Sequence, residues 1–177
     1  MLVSADEVRA RVREMDATTD WGEVEGVLRD LGWSRSLLPF LVEAYPTFRK
    51  QQARATAVYF AKTYARSPYH DEDAFALVLL GLADRAKMPK FWACQAAAHA
   101  LRADALPSLR PLVRHRDAEV RGWARGAVRA INKQEPGEFI GPGRKTSWPG
   151  KTEGEGEHEA LALFRQQGLI DAEGKLL

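Results

Sequence analysis

Six arginines between residues 110 and 129 have the residue type and the spacing best suited to binding an anion. Arg121, Arg125 and Arg129 are four residues apart, so a helix would place them along one face. The other three precede them in the chain: Arg110, Arg114 and Arg116. A guanidinium group donates paired hydrogen bonds to a phosphate or a carboxylate, so this arginine ridge predicts a surface that binds phosphate or an acidic protein. The alternative is a solvated helix face.

The charge of the chain is concentrated around this ridge. Residues 1–84 contain 10 Lys and Arg against 13 Asp and Glu, and residues 135–177 contain 5 against 8. The basic block, residues 85–134, contains 11 against 3, which is +8 in a chain whose formal net charge is +2. A local excess of this size is larger than solubility requires, and it favours a binding role for the ridge.

Three other features could carry chemistry, but each favours a structural role. The acidic run with its leading histidine, His70-Asp71-Glu72-Asp73, could hold a metal ion, but acidic residues at a helix start interact well with the helix dipole. We therefore predict that a helix begins near Asp71. His99 and Cys94 lie in an alanine-rich apolar segment and are predicted to be core residues.

The segment Gly150-Lys151-Thr152 is similar to the end of a phosphate-binding loop. That motif needs a glycine five residues before Gly150, where this chain has Lys145, and no strand is predicted before it. We find no nucleophile elbow and no dinucleotide fingerprint. The sequence therefore predicts no catalytic residue, no metal site and no cofactor.

Length and composition favour one globular domain. The 177 residues are 45% hydrophobic and 28% charged, which is ordinary for a soluble protein. No apolar run is long enough to span a bilayer, and the acidic N-terminal segment is unlike a signal peptide. The single cysteine, Cys94, excludes an internal disulfide bond and a cysteine-based metal cluster. We therefore expect a cytoplasmic protein with no membrane association.

Apolar residues recur at helical spacing through most of the chain, and no segment has the alternation of a strand. Helix starts are predicted at or beside Ser4, Asp20, Ser34, Thr47, Asp71, Pro89 and Asp117. A helix is predicted to stop at Tyr45, because Pro46 disfavours helical geometry in the preceding residue. Another is predicted to end at residues 67–68, Ser-Pro.

Residues 107–131 form the clearest unit. Leu109, Leu112 and Val113 make one helix face, and Asp117 caps a second helix. The second helix is predicted to bury Val120, Trp123, Ala124, Ala127, Val128 and Ile131. The order L-x-x-L-V, then D-A-E-V-R, with alanines four and seven residues after the valine, resembles a HEAT repeat.

The resemblance implies an all-α fold, a right-handed α-solenoid of HEAT-like antiparallel helix pairs. Taking Ala53, Ala93 and Val120 as equivalent positions gives repeat spacings of 40 and 27 residues. The predicted organisation is a helical repeat domain at 1–134, a Gly/Pro-rich extended arm at 135–156, and a short helix and tail at 157–177. We expect the tail to pack on the repeat domain, with Trp148 as an anchor.

The expected function is that of a non-enzymatic protein-binding module. The resemblance implies an adaptor, a regulator or a neutralising partner of another protein, acting as a monomer and using the arginine ridge on an acidic surface. The alternative is nucleic-acid binding through the basic block, including a DNA repair role such as that of HEAT-like glycosylases. The two differ in salt dependence, because backbone-dominated nucleic-acid binding weakens steeply with salt.

Overall fold

The computed structural model describes residues 4–66 and 69–136. These residues form α-helices joined by turns and short 3-10 helices, and no strand is found among them, which confirms the prediction of an all-α fold. The eight α-helices of the described part are α1 (Ala5–Glu14), α2 (Trp21–Asp30), α3 (Leu38–Ala44), α4 (Gln51–Ala65), α5 (Glu72–Ala83), α6 (Lys87–Ala100), α7 (Leu106–Leu112) and α8 (Ala118–Lys133).

The helices pack in two series. The even-numbered helices contact one another in the order α2, α4, α6, α8, and the odd-numbered helices do so in the order α1, α3, α5, α7. Helix α5 contacts α3, α4, α6 and α7. Its dense apolar sequence is typical of a central helix, and its contacts with both series agree with that expectation.

Small residues allow α4, α5 and α6 to approach closely. Ala57 of α4 and the pair Ala93 and Ala97 of α6 have no exposed surface. Gly81 of α5 lies at the same junction, where an added Cβ would be 2.9 Å from Ala93 Cβ and 2.8 Å from a methyl group of Val58. A separation below 3 Å leaves no room for a side chain, so the packing of the three helices requires glycine at this position.

Local sequence signals account for several helix starts. A side-chain oxygen accepts a hydrogen bond from a free backbone N–H in the first turn at Ser4, Asp20, Asp71 and Asp117. These four predicted caps are confirmed. Ser34 also acts as a cap, but of the 3-10 helix Arg35–Leu37 that leads into α3.

The prediction that Thr47 caps α4 is wrong. The Thr47 hydroxyl donates to the carbonyl of Ala44 at 2.7 Å, and α4 starts further along, with Lys50 as its N-cap residue. The backbone N–H groups of Arg49 and Lys50 donate to the carboxylate of Asp16 at 3.0 and 2.7 Å. Helix α4 therefore has no side-chain cap, and a carboxylate from the turn between α1 and α2 holds the backbone just before it.

Helix α3 ends at Ala44, as predicted, but Tyr45 does not leave helical geometry. Its φ and ψ are −50° and −47°, and Pro46 lies in a 3-10 helix, Tyr45–Thr47. The Tyr45 ring is buried, and its hydroxyl donates to Asp84 at 2.8 Å. This tertiary contact outweighs the local preference that proline imposes on the residue before it.

A basic side chain binds backbone carbonyl groups at the same place in three even-numbered helices. Arg54 donates to the carbonyl of Phe48, six residues earlier, at 2.8 Å. Arg121 donates to the carbonyl of His115, also six residues earlier and at 2.8 Å. The ammonium group of Lys90 donates to the carbonyl of Asp84, again six residues earlier. These three cations therefore mark equivalent positions in α4, α6 and α8.

The recurring contact corrects the repeat register proposed from the sequence. The spacings between Arg54, Lys90 and Arg121 are 36 and 31 residues, which are more regular than 40 and 27. The position in α6 equivalent to Ala53 and Val120 is therefore Pro89 and not Ala93. Pro89 is also the third residue of α6 and not the first. It is tolerated there because the first four N–H groups of a helix have no partner within the helix.

Several predictions lie outside the described residues. They concern the helix end at residues 67–68, the arm at 137–156 with Trp148, the Gly150-Lys151-Thr152 segment, and the helix and tail at 157–177.

Candidate partner-binding surface

The six arginines of the ridge differ in their surroundings. Five are exposed: Arg110 on α7, Arg114 and Arg116 in the following turn, and Arg125 and Arg129 on α8. Arg121 is only partly exposed, and its guanidinium group donates to the carbonyls of His115 and Arg116 at 2.8 and 2.9 Å. Arg121 therefore holds the turn before α8, and the other five are available to a partner.

The exposed arginines have no counter-charge among the described residues. Of the 11 basic side chains in the basic block, only Lys87 and Arg102 form ion pairs with described residues. These two engage the three acidic residues of the block, which are Asp104, Asp117 and Glu119. The positive charge of α7, α8 and the turn between them is therefore left uncompensated within the described part of the chain.

A row of aromatic side chains crosses three even-numbered helices. Tyr59 of α4 contacts Trp92 of α6, with ring centroids 4.7 Å apart. Trp92 contacts Phe91 at 4.9 Å, and Phe91 contacts Trp123 of α8 at 4.8 Å. All four residues are partly exposed. This aromatic row gives the surface of α4, α6 and α8 a continuous apolar strip.

Two lysines lie over rings of the aromatic row. The ammonium group of Lys62 is 5.4 Å from the ring centroid of Tyr59 and 5.3 Å from that of Trp92. Lys87 is 5.6 Å from the Trp123 ring, 3.1 Å from the Asp117 carboxylate, and paired with Glu119. These separations allow cation–π attraction, which helps to fix the rings in place.

The aromatic row is not predicted from the sequence. The prediction that Trp123 and Val128 are buried with the core of α8 is wrong, because both side chains are only partly buried. The sequence does contain a sign of the row once the helices are aligned on the carbonyl-binding cation. Trp92 follows Lys90 by two residues, and Trp123 follows Arg121 by two residues. They therefore occupy equivalent positions in neighbouring helices.

Cys94 and His99 differ, although both were predicted to be core residues. Cys94 is fully buried, as predicted, and burial raises the pKa of its thiol to about 12. His99 is partly exposed, so its assignment to the core is wrong. Burial lowers the pKa of its imidazole, and the positive charges of Lys62 and Arg66 lower it further.

Within residues 70–73, the carboxylate of Asp71 has a structural role. An oxygen of Asp71 accepts the N–H of Ala74 at 2.9 Å, and Arg35 donates to the same carboxylate at 2.5 Å. Among the described residues, no group of three or more His, Cys, Asp or Glu side chains is placed to hold a metal ion.

A surface groove lies between α1 and α3. It is lined by Arg9, Arg13, Phe40, Glu43, Ala44 and Thr47. Arg9 is already paired with Glu43 and Asp6, each at 3.1 Å, and it lies over the Phe40 ring. A ligand in this groove would have to compete with those contacts, so the basic surface is the stronger candidate.

None of the described helices has the length and apolar character needed to cross a membrane. Comparisons of the chain with models of protein families, with curated proteins and with solved structures found no match. The function is therefore inferred from the geometry of the described residues.

Proposed function

We propose that this chain is a non-enzymatic binding module built as a right-handed solenoid of HEAT-like helix pairs. Two features support the solenoid: each helix contacts the next helix of its own series, and the carbonyl-binding cation recurs in α4, α6 and α8. Repeats of this kind bury their apolar faces against their neighbours and leave an extended surface for a partner.

The observation that carries the binding role is the combination of uncompensated arginines with a partly exposed tryptophan on α8. Arg125 and Arg129 are exposed and have no ion pair among the described residues. Trp123, two residues before Arg125, lies on the other flank of the same helix, because residues two apart on a helix do not face each other, so a partner that uses both must cover the exposed side of α8. Tryptophan, tyrosine and arginine are enriched at the energetic centres of protein interfaces. The partner that fits this surface is an acidic protein with an apolar residue for the aromatic row.

A protein partner fits the aromatic row better than single-stranded nucleic acid does. Bases bind such surfaces by stacking on open ring faces. Here Lys62 lies over Tyr59 and Trp92, Lys87 lies over Trp123, and Phe91 packs against both tryptophans. A base that stacks on these rings would have to compete with those contacts.

Binding to the backbone of a nucleic-acid duplex is the second candidate function. The five exposed arginines without ion pairs favour it, because phosphate contacts need only accessible positive charge. A DNA repair role would be one form of it. This candidate does not require the aromatic row, and that difference separates the two by experiment.

Affinity capture from cells with the full-length chain tests the proposal. The baits are the wild type, the double variant R125E/R129E, and the control R29E. Arg29 is an exposed arginine on α2 without an ion pair among the described residues, so the control makes the same kind of charge reversal, at one position instead of two, on another surface. Each capture is repeated after nuclease treatment, and the bound proteins are identified by mass spectrometry.

We expect a protein that R29E retains, that R125E/R129E loses, and that survives nuclease treatment. Loss of all specific binding after nuclease treatment would favour the nucleic-acid alternative. Equal capture by all three baits would show that the arginine ridge does not contribute to binding.

A further inference from the structure

Three basic or titratable side chains lie in or beside the last turns of α4 and α6. Lys62 is in the last turn of α4, and Arg66 follows it by four residues at the C-terminal cap. His99 is in the last turn of α6, seven residues after Trp92, so both lie on one face of that helix. The ammonium group of Lys62 reaches to 5.3 Å from the Trp92 ring, which brings the end of α4 against this face of α6.

No acidic side chain among the described residues forms an ion pair with Lys62, Arg66 or His99. At this end of α6, Glu72 of α5 is already paired with Arg102, as is Asp104. Helix α8 ends beside the same turn, where Gln134 donates to the carbonyl of Leu101 at 3.2 Å. Two charged residues follow at that end of α8, the cation Lys133 and the anion Glu135, and neither forms an ion pair with a described residue.

Burial and the neighbouring positive charges both lower the pKa values of Lys62 and His99. Burial lowers the pKa of the Lys62 ammonium group, and the charge of Arg66 lowers it further. Burial also lowers the pKa of His99, and the charges of Lys62 and Arg66 add to that effect. The helix dipoles offset part of this repulsion, because cations are favoured near helix C-termini. An anion would relieve the remainder.

We propose that Lys62, Arg66 and His99 form a binding site for a phosphate monoester group. Two permanent cations and an imidazole that can take up a proton match a dianion better than a single carboxylate. A phosphate group also offers three acceptor oxygens, one for each side chain of the cluster. This site lies on α4 and α6 and is separate from the arginine ridge, so it does not depend on the proposed function.

The phosphate could belong to a nucleotide or to a phosphorylated protein side chain. Inorganic phosphate, phosphoserine and adenosine monophosphate present the same group in these different contexts. Binding of all three with similar affinity assigns recognition to the phosphate alone. Tighter binding of the nucleotide, or of phosphoserine, identifies the source.

Nuclear magnetic resonance of the imidazole groups in the full-length chain tests the site. The chain has four histidines, and the H99Q variant assigns the His99 signal. Titrations with each probe are done at constant ionic strength, with chloride as the reference anion. Because the anion binds the protonated imidazole more tightly, the pKa of His99 should rise, by about one unit for a tenfold preference. Affinity should therefore increase as the pH falls.

R66Q is the main variant, because Arg66 is exposed and its replacement leaves the core intact. We expect R66Q and K62M each to weaken phosphate binding at least tenfold, and the matched control R29Q, at an exposed arginine on α2, to leave it unchanged. Two results would overturn the site: a His99 pKa that does not respond to millimolar amounts of any of the three probes, or an equal response in R66Q. The two proposals are tested by different measurements. Partner capture by R125E/R129E tests the arginine ridge, and the response of the His99 pKa to phosphate tests the site on α4 and α6, so either proposal can fail without the other.

Discussion

Nε of Arg54 donates to Oδ2 of Asp84 across 2.7 Å, and only 8% and 3% of the two side chains is exposed. The same guanidinium group donates to the carbonyls of Phe48 and Arg49. The Asp84 carboxylate also accepts the Tyr45 hydroxyl. This buried pair therefore joins the start of α4, the end of α3 and the turn before α6, and each charge is held by several hydrogen bonds.

Breaking this pair from either side should destabilise the fold severely. Both R54M and D84N remove one partner and leave the other buried without its counter-charge, which costs about 3–5 kcal/mol in such pairs. Urea denaturation measures the free energy of unfolding. The control is R11M, which removes an exposed pair between Arg11 and Asp30 and should change the stability little. A loss below about 1 kcal/mol in both core variants would contradict a structural role for the pair.

Gly81 should not tolerate even one added methyl group. G81A places a Cβ within 3 Å of Ala93 and Val58, and overpacking of this kind costs about 1–3 kcal/mol. The matched control is G122A on α8, where an added Cβ meets nothing within 4 Å. That variant should gain stability, by up to about 1 kcal/mol, because alanine favours a helix more than glycine does. Thermal unfolding of both variants should shift in opposite directions, and equal shifts would contradict the close approach of α4, α5 and α6.

The features that could be predicted from the sequence are those set by residues close together in the chain. The caps at Asp71 and Asp117 depend on residues two or three positions away, and the buried faces follow from helical spacing. The hydrogen bonds from Arg49 and Lys50, just before α4, to Asp16 could not be predicted in this way, because that carboxylate comes from a distant turn. The partial exposure of Trp123 was missed because its packing depends on Phe91 of another helix. The ridge was predicted from spacing alone, and only the contacts of Arg121 with backbone carbonyls distinguish it from Arg125 and Arg129.

Asp71 should give the fold a specific sensitivity to acid. Burial, the largest effect, raises the pKa of this carboxyl group, but hydrogen bonds from the Ala74 N–H and from Arg35 outweigh it, so its pKa lies below the usual 3.8. Its stabilising contribution is therefore present above the unfolded-state pKa and is lost as the pH falls through the lowered folded-state value.

The test of this contribution compares the wild type with D71N over a range of pH. Asparagine can still cap the helix, so the difference in the free energy of unfolding comes from the lost charge paired with the exposed Arg35 and should be up to about 1 kcal/mol near neutral pH. It should shrink as the solution is acidified below about pH 4. D73N is the control, since Asp73 is in the first turn of the same helix and forms no ion pair with Arg35. A D71N difference that stays constant down to low pH would show that the carboxylate charge is not what stabilises α5.

Arg121 should affect stability, whereas Arg125 should affect only binding. R121Q removes charged hydrogen bonds to the carbonyls of His115 and Arg116, each of which contributes on the order of 1 kcal/mol or more. R125Q removes an exposed side chain without an ion pair among the described residues and should unfold like the wild type. Denaturant midpoints of the two variants measure this difference. Equal midpoints would mean that the turn before α8 does not depend on Arg121.

The affinity of the captured partner for W123A at two salt concentrations tests the central claim most directly. If the surface is a protein interface with an aromatic centre, W123A should weaken binding by about 30-fold, the equivalent of about 2 kcal/mol. The loss should be similar at low and high salt, because an apolar contact is not screened. R29E, on α2, should bind like the wild type. The claim would be contradicted if W123A bound normally while the affinity of the wild type fell steeply with salt, since that is the behaviour of contacts to a phosphate backbone.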